Sequence, residues 1–380
     1  VRVSDAVDAA ELLTINKATS GVVTLDDQTG ILEASAKDLI AALDGITGYT
    51  GNLIIALNSP AATLAQLKTL NSLGSTPGDL VLDALSAKTN YSGKAIDILA
   101  AFDGVTVYNG SLTITGSYRA EDIAALELLG HPYTLSNKAQ ALTVDVADVA
   151  ALVTALATTG YKGNVTVTDT TGTAEITTAQ LIALNNLTTG KITLNDASLA
   201  YDYSGTAAQL VEAFAGITGL KGDVTISSAA NTVTTDQLKA INKATSGDIT
   251  VTNNQTLLGS AKDLIEALKD VTLTAASTVE VTGAVTVAQI LALQGTTATV
   301  TFANTSAALT GTTVDILDAL DSAPAGYKGA IKVTDTISAA NLKIINDATT
   351  GKITLTNLTH ALNGTAADLA AALDGITGYK

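Results

Sequence analysis

The segment GAIKVTDTISAANLKIINDATTG (residues 329–351) runs directly into KITLTNLTHALNGTAADLAAALDGITGYK (residues 352–380). The first segment reads as a strand, a polar turn and a helix that ends at glycine, and we name this pattern type B. The second reads as a strand, a longer loop and a helix with a GITGY-like tail, and we name this pattern type A. Together they predict one pair of strand–helix units.

The same two patterns alternate along the whole chain. Residues 163–190 and 222–247 are further type B copies, residues 191–221 are a further type A copy, and residues 22–50 end in DLIAALDGITGYT. Seven pairs divide the 380 residues into about 54 per pair, or about 27 per unit. One strand and one short helix of that length close one turn of a solenoid. The predicted pairs are residues 1–50, 51–109, 110–162, 163–221, 222–273, 274–328 and 329–380.

Alternating residues in the predicted strands indicate one buried and one exposed face. In Val165-Thr166-Val167-Thr168 the valines are expected to face a core and the threonines to face away from it. The helices carry apolar residues three and four positions apart. A hydroxyl residue precedes several of them and can accept a hydrogen bond from a free N–H group, as at Thr206, Ser260 and Thr365. Glycine follows the helices, where a left-handed residue is favoured, at Gly45, Gly190, Gly247, Gly351 and Gly375.

These elements predict an α/β fold: a repetitive right-handed βα solenoid of about fourteen strand–helix units, with residues 1–380 as a single continuous domain. Crossovers between parallel strands are right-handed, so all the strands are expected to be parallel in one long sheet. The architecture is similar to that of leucine-rich repeats, but the Leu/Asn spacing of that family is absent.

Neither end of the sequence has the polar capping repeat that soluble solenoids need. Apolar surface and unpaired strand edges are therefore expected near Val1, Val3, Ile376 and Tyr379, which we take as candidate assembly ends. The sequence starts at Val1 and contains no Met, which indicates a processed chain or a window of a longer one. The units are expected either to continue in a longer array or to associate head-to-tail with further copies.

Charge and composition exclude several classes of partner. The formal net charge of −16 at pH 7 is expected to repel nucleic acid. No apolar run approaches the roughly 20 residues that span a bilayer, so no membrane insertion is predicted. Because the chain has no cysteine, it has no disulfide framework, thiolate metal site or cysteine nucleophile.

No motif predicts an enzyme or a cofactor. The two histidines, His131 and His360, lie in different units and cannot share a metal or a catalytic triad. Neither a GxxxxGK[ST] phosphate-binding loop nor a GxGxxG motif after a strand is present. We therefore expect a chain without catalytic residues.

Acidic residues follow several predicted strands, at Asp26, Asp169, Asp196 and Asp335. The favoured interpretation is a set of turn residues or a stacked polar ladder. The alternative is a row of weak Ca²⁺ sites along one edge, although no EF-hand pattern or GGxGxDxUx repeat occurs.

Tyrosine and threonine offer two further candidate surfaces. The Gly-Tyr-Lys-Gly tail at Tyr161 and Tyr327, which recurs as Gly-Tyr-Lys at Tyr379, predicts a tyrosine that packs over the turn. A ligand-stacking tyrosine is the alternative.

Threonine occupies the middle outward strand position in nine of fourteen strands, which allows a less favoured ice-binding array. Those threonines are Thr24, Thr113, Thr134, Thr166, Thr193, Thr225, Thr250, Thr301 and Thr354, interrupted by Arg2, Ile54, Val81, Glu280 and Lys332.

Residues 333–380 resemble repeats of giant cell-surface proteins of cyanobacteria and other aquatic bacteria. The resemblance rests on Thr334-Asp335-Thr336, Ala339, Leu342, Thr349-Thr350-Gly351 and the stretch from Leu362 to Asp368. It implies an extracellular or cell-surface structural protein, as part of a filament, surface layer or adhesin stalk. A Ca²⁺- or glycan-binding surface module is the alternative.

Overall fold

The computed structural model describes residues 1–73, 80–105, 107–170, 175–195, 200–296, 298–321, 327–359 and 361–376. These residues contain fourteen α-helices and twenty-one strands. The chain forms two compact regions: region 1 is Val1–Ala174 with Ala183–Asn195, and region 2 is Glu175–Ile182 with Asp196–Lys380. Two helices fall within each of the seven predicted pairs.

Region 1 alternates short strands with helices of two to three turns. Its strands are β1 (Arg2–Val3), β2 (Thr24–Leu25), β3 (Leu32–Ala34), β4 (Leu53–Ile55), β5 (Leu80–Val81), β6 (Tyr91–Gly93), β7 (Leu112–Ile114), β8 (Tyr133–Leu135), β9 (Leu142–Asp145), β10 (Val165–Thr168) and β11 (Ile192–Leu194). Its helices are α1 (Ala9–Ala18), α2 (Ala36–Leu43), α3 (Leu64–Ser72), α4 (Ala95–Phe102), α5 (Ala120–Leu128), α6 (Val149–Leu156) and the second half of α7 (Thr178–Leu187).

Region 2 has the same alternation. Its strands are β12 (Tyr203–Gly205), β13 (Val224–Ile226), β14 (Ile249–Val251), β15 (Thr256–Ser260), β16 (Val271–Thr272), β17 (Thr278–Thr282), β18 (Thr299–Phe302), β19 (Leu309–Gly311), β20 (Ile331–Val333) and β21 (Ile353–Leu355). Its further helices are α8 (Ala207–Ala213), α9 (Thr235–Ala244), α10 (Ala261–Ala267), α11 (Val287–Gln294), α12 (Thr313–Asp321), α13 (Ala339–Ala348) and α14 (Ala366–Leu373).

The predicted parallel pairing within each pair of units is confirmed. The type B strand lies parallel to the first type A strand, with the predicted outward residues opposite each other. The opposed residues are Arg2 and Thr24, Ile54 and Val81, Thr113 and Thr134, Thr166 and Thr193, Thr225 and Thr250, Glu280 and Thr301, and Lys332 and Thr354.

The prediction of one long sheet is wrong. In the part of the chain that the structure describes, the strands form seven separate parallel sheets of two to four strands. Those sheets are β1-β2, β3-β4-β5, β6-β7-β8, β9-β10-β11, β12-β13-β14-β16, β15-β17-β18 and β19-β20-β21.

The sheets are interrupted because the longer loop of the type A unit contains a second strand. In the first pair, only residues 26–31 join β2 to β3. Parallel neighbours in one sheet need a crossover of about a dozen residues or more, so these two strands cannot pair with each other. β2 therefore ends the sheet of β1, and β3 begins the next sheet by pairing with β4.

The core is aliphatic and lies between the strands and the helices. Val165 and Val167 of β10 are fully buried, whereas Thr166 and Thr168 are half-buried. The predicted helix caps are confirmed, because the side chains of Thr206, Ser260 and Thr365 each accept a hydrogen bond from the N–H group three residues later.

Thr349 joins neighbouring units at the end of α13. Its buried hydroxyl donates to the carbonyls of Tyr327 at 3.0 Å and Gly329 at 3.2 Å, and it accepts from the N–H of Gly351 at 2.9 Å. Thr349 therefore satisfies backbone groups of two units at once. The hydroxyls of Thr188 and Thr245 likewise donate to the carbonyls of Gly163 at 2.7 Å and Gly222 at 2.8 Å.

The glycine of the same motif is required by a close approach of two backbones. A Cβ atom on Gly351 would lie 2.0 Å from the carbonyl oxygen of Gly329. The prediction that Gly190, Gly247 and Gly351 are left-handed is wrong, because their φ angles are not positive; Gly45 and Gly375 are left-handed, with φ of 73° and 72°. At the first three positions the neighbouring carbonyl, rather than the φ angle, excludes a side chain.

Replacing Thr349 with valine tests this contact. Thr349→Val keeps the shape but removes the hydroxyl, so we expect a loss of about 1–3 kcal/mol in the free energy of unfolding, measured by denaturant unfolding. Thr350→Val is the matched control, because Thr350 is the exposed next residue, and its effect should stay within about 0.5 kcal/mol. Equal effects of the two substitutions would contradict the role of Thr349.

Candidate functional site

Two of the acidic residues proposed as metal ligands, Asp26 and Asp335, have partners within the chain. Asp26 forms an ion pair with Arg2 at 2.7 Å, and Asp335 accepts hydrogen bonds at 2.8 Å from both the N–H and the hydroxyl of Thr313. Asp169 follows β10 in region 1, and Asp196 lies outside the described residues. Within the described ranges, no group of three or more His, Asp or Glu side chains is placed to hold a metal ion.

The contacts of Asp335 agree with the ladder interpretation. Its carboxylate bridges the end of β20 to the start of α12, one unit earlier. Asp145 similarly accepts from the N–H and the hydroxyl of Thr170, in the following unit. These two hydrogen bonds lower the pKa of Asp145. Such carboxylates connect consecutive units instead of pointing into a shared site.

The tyrosines of the helix tails pack as predicted. Tyr161 is 2 % exposed, and its hydroxyl donates to the carbonyls of Gln140 at 2.6 Å and Asn164 at 3.0 Å. Tyr327 is buried to the same extent and donates to the carbonyl of Ala307. Tyr379 lies outside the described residues.

Two further tyrosines, at the corresponding tail positions, show why a ligand-stacking role finds no support. Burial raises the pKa of Tyr49 and Tyr108 to about 12, so their hydroxyls remain donors in alkaline solution. Tyr49 donates to Gly30, and Tyr108 donates to Thr89 at 2.9 Å. No tyrosine or phenylalanine side chain in the described ranges is exposed.

The outward threonines do not form one array, because each sheet ends within a type A unit. Several neighbouring hydroxyls are also used by the backbone. Thr168 donates to the carbonyl of Val144 at 3.2 Å, and Thr356 donates to that of Val333 at 2.9 Å. The ice-binding alternative therefore gains no support from the geometry.

His131 is half-buried and belongs to a ring cluster in region 1. Its ring lies 5.8 Å from that of Phe102 and 5.4 Å from that of Tyr108, centroid to centroid. Its Nε2 lies 3.3 Å from the carbonyl oxygen of Val105. His360 lies outside the described residues.

A groove of about 780 Å³ lies in region 1 and is lined by residues between Lys94 and Thr143. Its cations are Lys94 and Arg119, but Arg119 forms ion pairs with Glu121 and with Asp122 at 3.1 Å. The hydroxyl of Tyr118, also in its lining, donates to the carbonyl of Asn137. The polar groups of Arg119 and Tyr118 are therefore engaged by contacts within the chain.

The first candidate assembly end is an open apolar face. Val1 is 62 % exposed, and Val3 lies at the margin of burial with 9 % exposed. A cavity of about 550 Å³ opens here and is lined by Val3, Asp5, Ala6, Val7, Ala10, Glu11, Thr14 and Ile15. We name this surface the N face. In inner type B units such a surface packs against the preceding type A unit.

The second candidate end is the outer side of α14, which we name the C face and define by Ala366, Leu369, Leu373 and Ile376. Ala366 is exposed and the other three are half-buried. In the unit of α2, an inner type A helix, the corresponding positions are buried: Ala36 is 3 % exposed, Leu39 0 %, Leu43 1 % and Ile46 4 %. There, the next type B helix packs against them, as α3 packs against α2.

One recurring contact was not predicted from the sequence. An asparagine near the end of the type B helix caps the carboxyl end of the following type A helix. Asn71 Nδ2 donates to the carbonyls of Ala100 at 3.3 Å and Ala101 at 2.7 Å. Asn16, Asn242 and Asn346 do the same for α2, α10 and α14, and Gln294 reaches α12. The sequence signal for this cap is the amide side chain that recurs near the end of the type B helices.

No family model matches the chain, and no curated protein is significantly similar to it in sequence. In the described ranges, no helix has both the length and the apolar content needed to cross a bilayer.

Replacing Asn71 with aspartate tests the inter-helix cap. Asn71→Asp removes the donor and adds a negative charge beside helix carbonyls, which carry a partial negative charge themselves. We expect a loss of about 1–3 kcal/mol at pH 7 that shrinks in acid, where the protonated carboxyl can donate. Denaturant unfolding at both pH values is the measurement.

The matched control is Asn52→Asp, which adds the same charge at an exposed position of the same region. Its effect should stay within about 0.5 kcal/mol. A loss that does not depend on pH in Asn71→Asp would contradict the capping role.

Proposed function

We propose that this chain is a non-enzymatic structural repeat protein whose units assemble end to end. Its strand–helix units continue as one right-handed βα solenoid, and its N face in one copy binds the C face of another. The assembly is a filament, surface layer or adhesin stalk outside the cell. The resemblance of residues 333–380 to bacterial cell-surface repeats supports this location.

The observation that carries the proposal is the uncovered C face. Positions that are 0–4 % exposed in the unit of α2 are half-buried or exposed in that of α14. Burying a leucine side chain contributes about 1.5–3 kcal/mol, so covering these positions favours association. Inside the chain, a type B unit covers the corresponding positions of a type A helix. The N face is a type B surface that is left uncovered.

The N face also has the chemistry that a type B unit presents at inner junctions. Ile15 of α1 is half-buried, whereas Leu70 of α3 and Ile345 of α13, at the matching position, are 1 % and 0 % exposed. Val7 and Ile15 are half-buried around the open cavity. An incoming type A unit would fill that cavity with the apolar side chains of its helix.

Association is tested with two neighbouring substitutions. Ala366→Glu places a charge on the C face, where burial without a partner costs about 3 kcal/mol or more, a loss of about a hundredfold in affinity. Ala367→Glu is the control, because the corresponding positions of inner helices, such as Lys37 and Ile96, are exposed. Sedimentation over a wide concentration range and electron microscopy measure the assembly.

We expect the unmodified chain and Ala367→Glu to form end-to-end species and Ala366→Glu to remain monomeric. Both glutamates lie at exposed positions of the monomer, so neither should change its stability by more than about 0.5 kcal/mol. An unmodified chain that stays monomeric at every concentration would reject the proposal.

A Ca²⁺- or glycan-binding module remains the alternative, with less support. The acidic candidates Asp26 and Asp335 are occupied by contacts within the chain. Native-state binding of Ca²⁺ would raise the unfolding temperature. A rise with Ca²⁺ that a chelator reverses would favour this alternative.

A further inference from the structure

The type A unit at residues 352–380 has the sequence of a second strand, but the described residues contain no strand at that place. In the six inner type A units, the segment before the helix is a strand paired with the next type B strand. The corresponding segment of the last unit is Leu362-Asn363-Gly364, directly before the N-cap Thr365. This segment is not in a strand.

The first type B strand has the complementary free edge. β1 uses one edge for β2, because Thr24 N–H donates to the Val1 carbonyl at 2.8 Å and Asp26 N–H donates to the Val3 carbonyl at 2.9 Å. Successive residues of a strand direct their backbone groups to opposite edges. The N–H and carbonyl of Arg2 therefore lie at the other edge, where the described residues place no strand.

The two edges repeat the chemistry of the nearest inner junction. There, Leu309-Thr310-Gly311 of β19 lies opposite Ile331-Lys332-Val333 of β20. At that junction a leucine lies opposite a β-branched residue, a polar residue opposite a cation, and a glycine opposite a valine. The same three matches result when Leu362-Asn363-Gly364 is aligned with Val1-Arg2-Val3.

We propose that these two segments form a parallel strand pair between two copies of the chain, in the register that places Asn363 opposite Arg2. This inference rests on the proposed end-to-end association and specifies its geometry. The segment 362–364 becomes a strand when the N face of the second copy binds, and that strand completes a three-stranded sheet with β1 and β2.

The register follows from a hydrogen bond that recurs at inner junctions. The N–H of the residue after the type B strand donates to the carbonyl of the last residue of the second type A strand. Thr115 N–H donates to the Gly93 carbonyl at 2.8 Å. The same bond, at 2.9 Å, joins Ala56 to Ala34, Ser227 to Gly205 and Thr334 to Gly311. The same rule pairs Ser4 N–H with the carbonyl of Gly364 in the other copy. A slip of one residue would turn Arg2 toward the core, which disfavours other registers.

Because the chain has no cysteine, the register is testable by disulfide cross-linking. Arg2→Cys and Asn363→Cys are made as separate variants with tags of different size, then mixed and oxidised. Opposed residues of neighbouring strands are about 4.8 Å apart, which lies within the range that a disulfide spans. We expect a cross-linked heterodimer.

Two controls accompany this experiment. Ser4→Cys lies two residues, or roughly 6.6 Å, along the strand, so its mixture with Asn363→Cys should give at least about tenfold less heterodimer. Thr310→Cys with Lys332→Cys in one chain should form an internal disulfide, because these residues are opposed in β19 and β20.

The outcomes separate the two proposals. Equal yields from Arg2→Cys and Ser4→Cys, or homodimers of a single variant as the main product, would overturn the register. Sedimentation of the same variants under reducing conditions reports association alone. Association without the cross-link between positions 2 and 363 rejects only the register, whereas reduced chains that remain monomeric reject the proposed function and the register with it.

Discussion

The constraint on which this structure depends is that one strand–helix unit is too small to enclose its own apolar side chains. Leu12 and Leu39 are fully buried, yet each lies on a helix of only eight to ten residues. They are covered because α1 and α2 pack on each other and on β3. Each unit therefore completes the core of its neighbours, and stability is expected to be a sum over adjacent units.

Polar side chains at the joints between units satisfy backbone groups that packing alone would leave unpaired. Thr349 bridges two carbonyls and an N–H group, Asn16 caps the last turn of α2, and Tyr161 donates to two carbonyls. A buried backbone group left without a partner costs about 1–3 kcal/mol. These contacts therefore specify which surface of one unit fits the next, in a chain that has no disulfides.

The sequence predicted the features that depend on local pattern. The alternation in Val165–Thr168, the caps at Thr206 and Ser260, and the register of the type B and first type A strands needed only periodicity and spacing. The packing role of Tyr161 was also predictable from its regular place between a helix and a strand. These features recur from pair to pair, so sequence divergence in one pair did not hide them.

The features that were missed depend on neighbours in space. The second type A strands are only three to five residues long and are paired to the following unit, as β3 is to β4. The glycines at 190, 247 and 351 lie against a carbonyl at the start of the same type B unit, more than twenty residues earlier, which no local pattern shows. The amide of Asn71 has its acceptors about thirty residues later, and the carboxylate of Asp335 has its donors 22 residues earlier.

The asparagine cap has a consequence for how such a chain can change in length during evolution. The donor lies in a type B helix and the acceptors lie in the type A helix that follows, as for Asn346 and Ala371. Duplication of a single unit would set two helices of one type side by side and leave a donor or a helix end without its counterpart. Gene duplications and deletions that preserve the fold therefore add or remove whole pairs, in steps of about 54 residues.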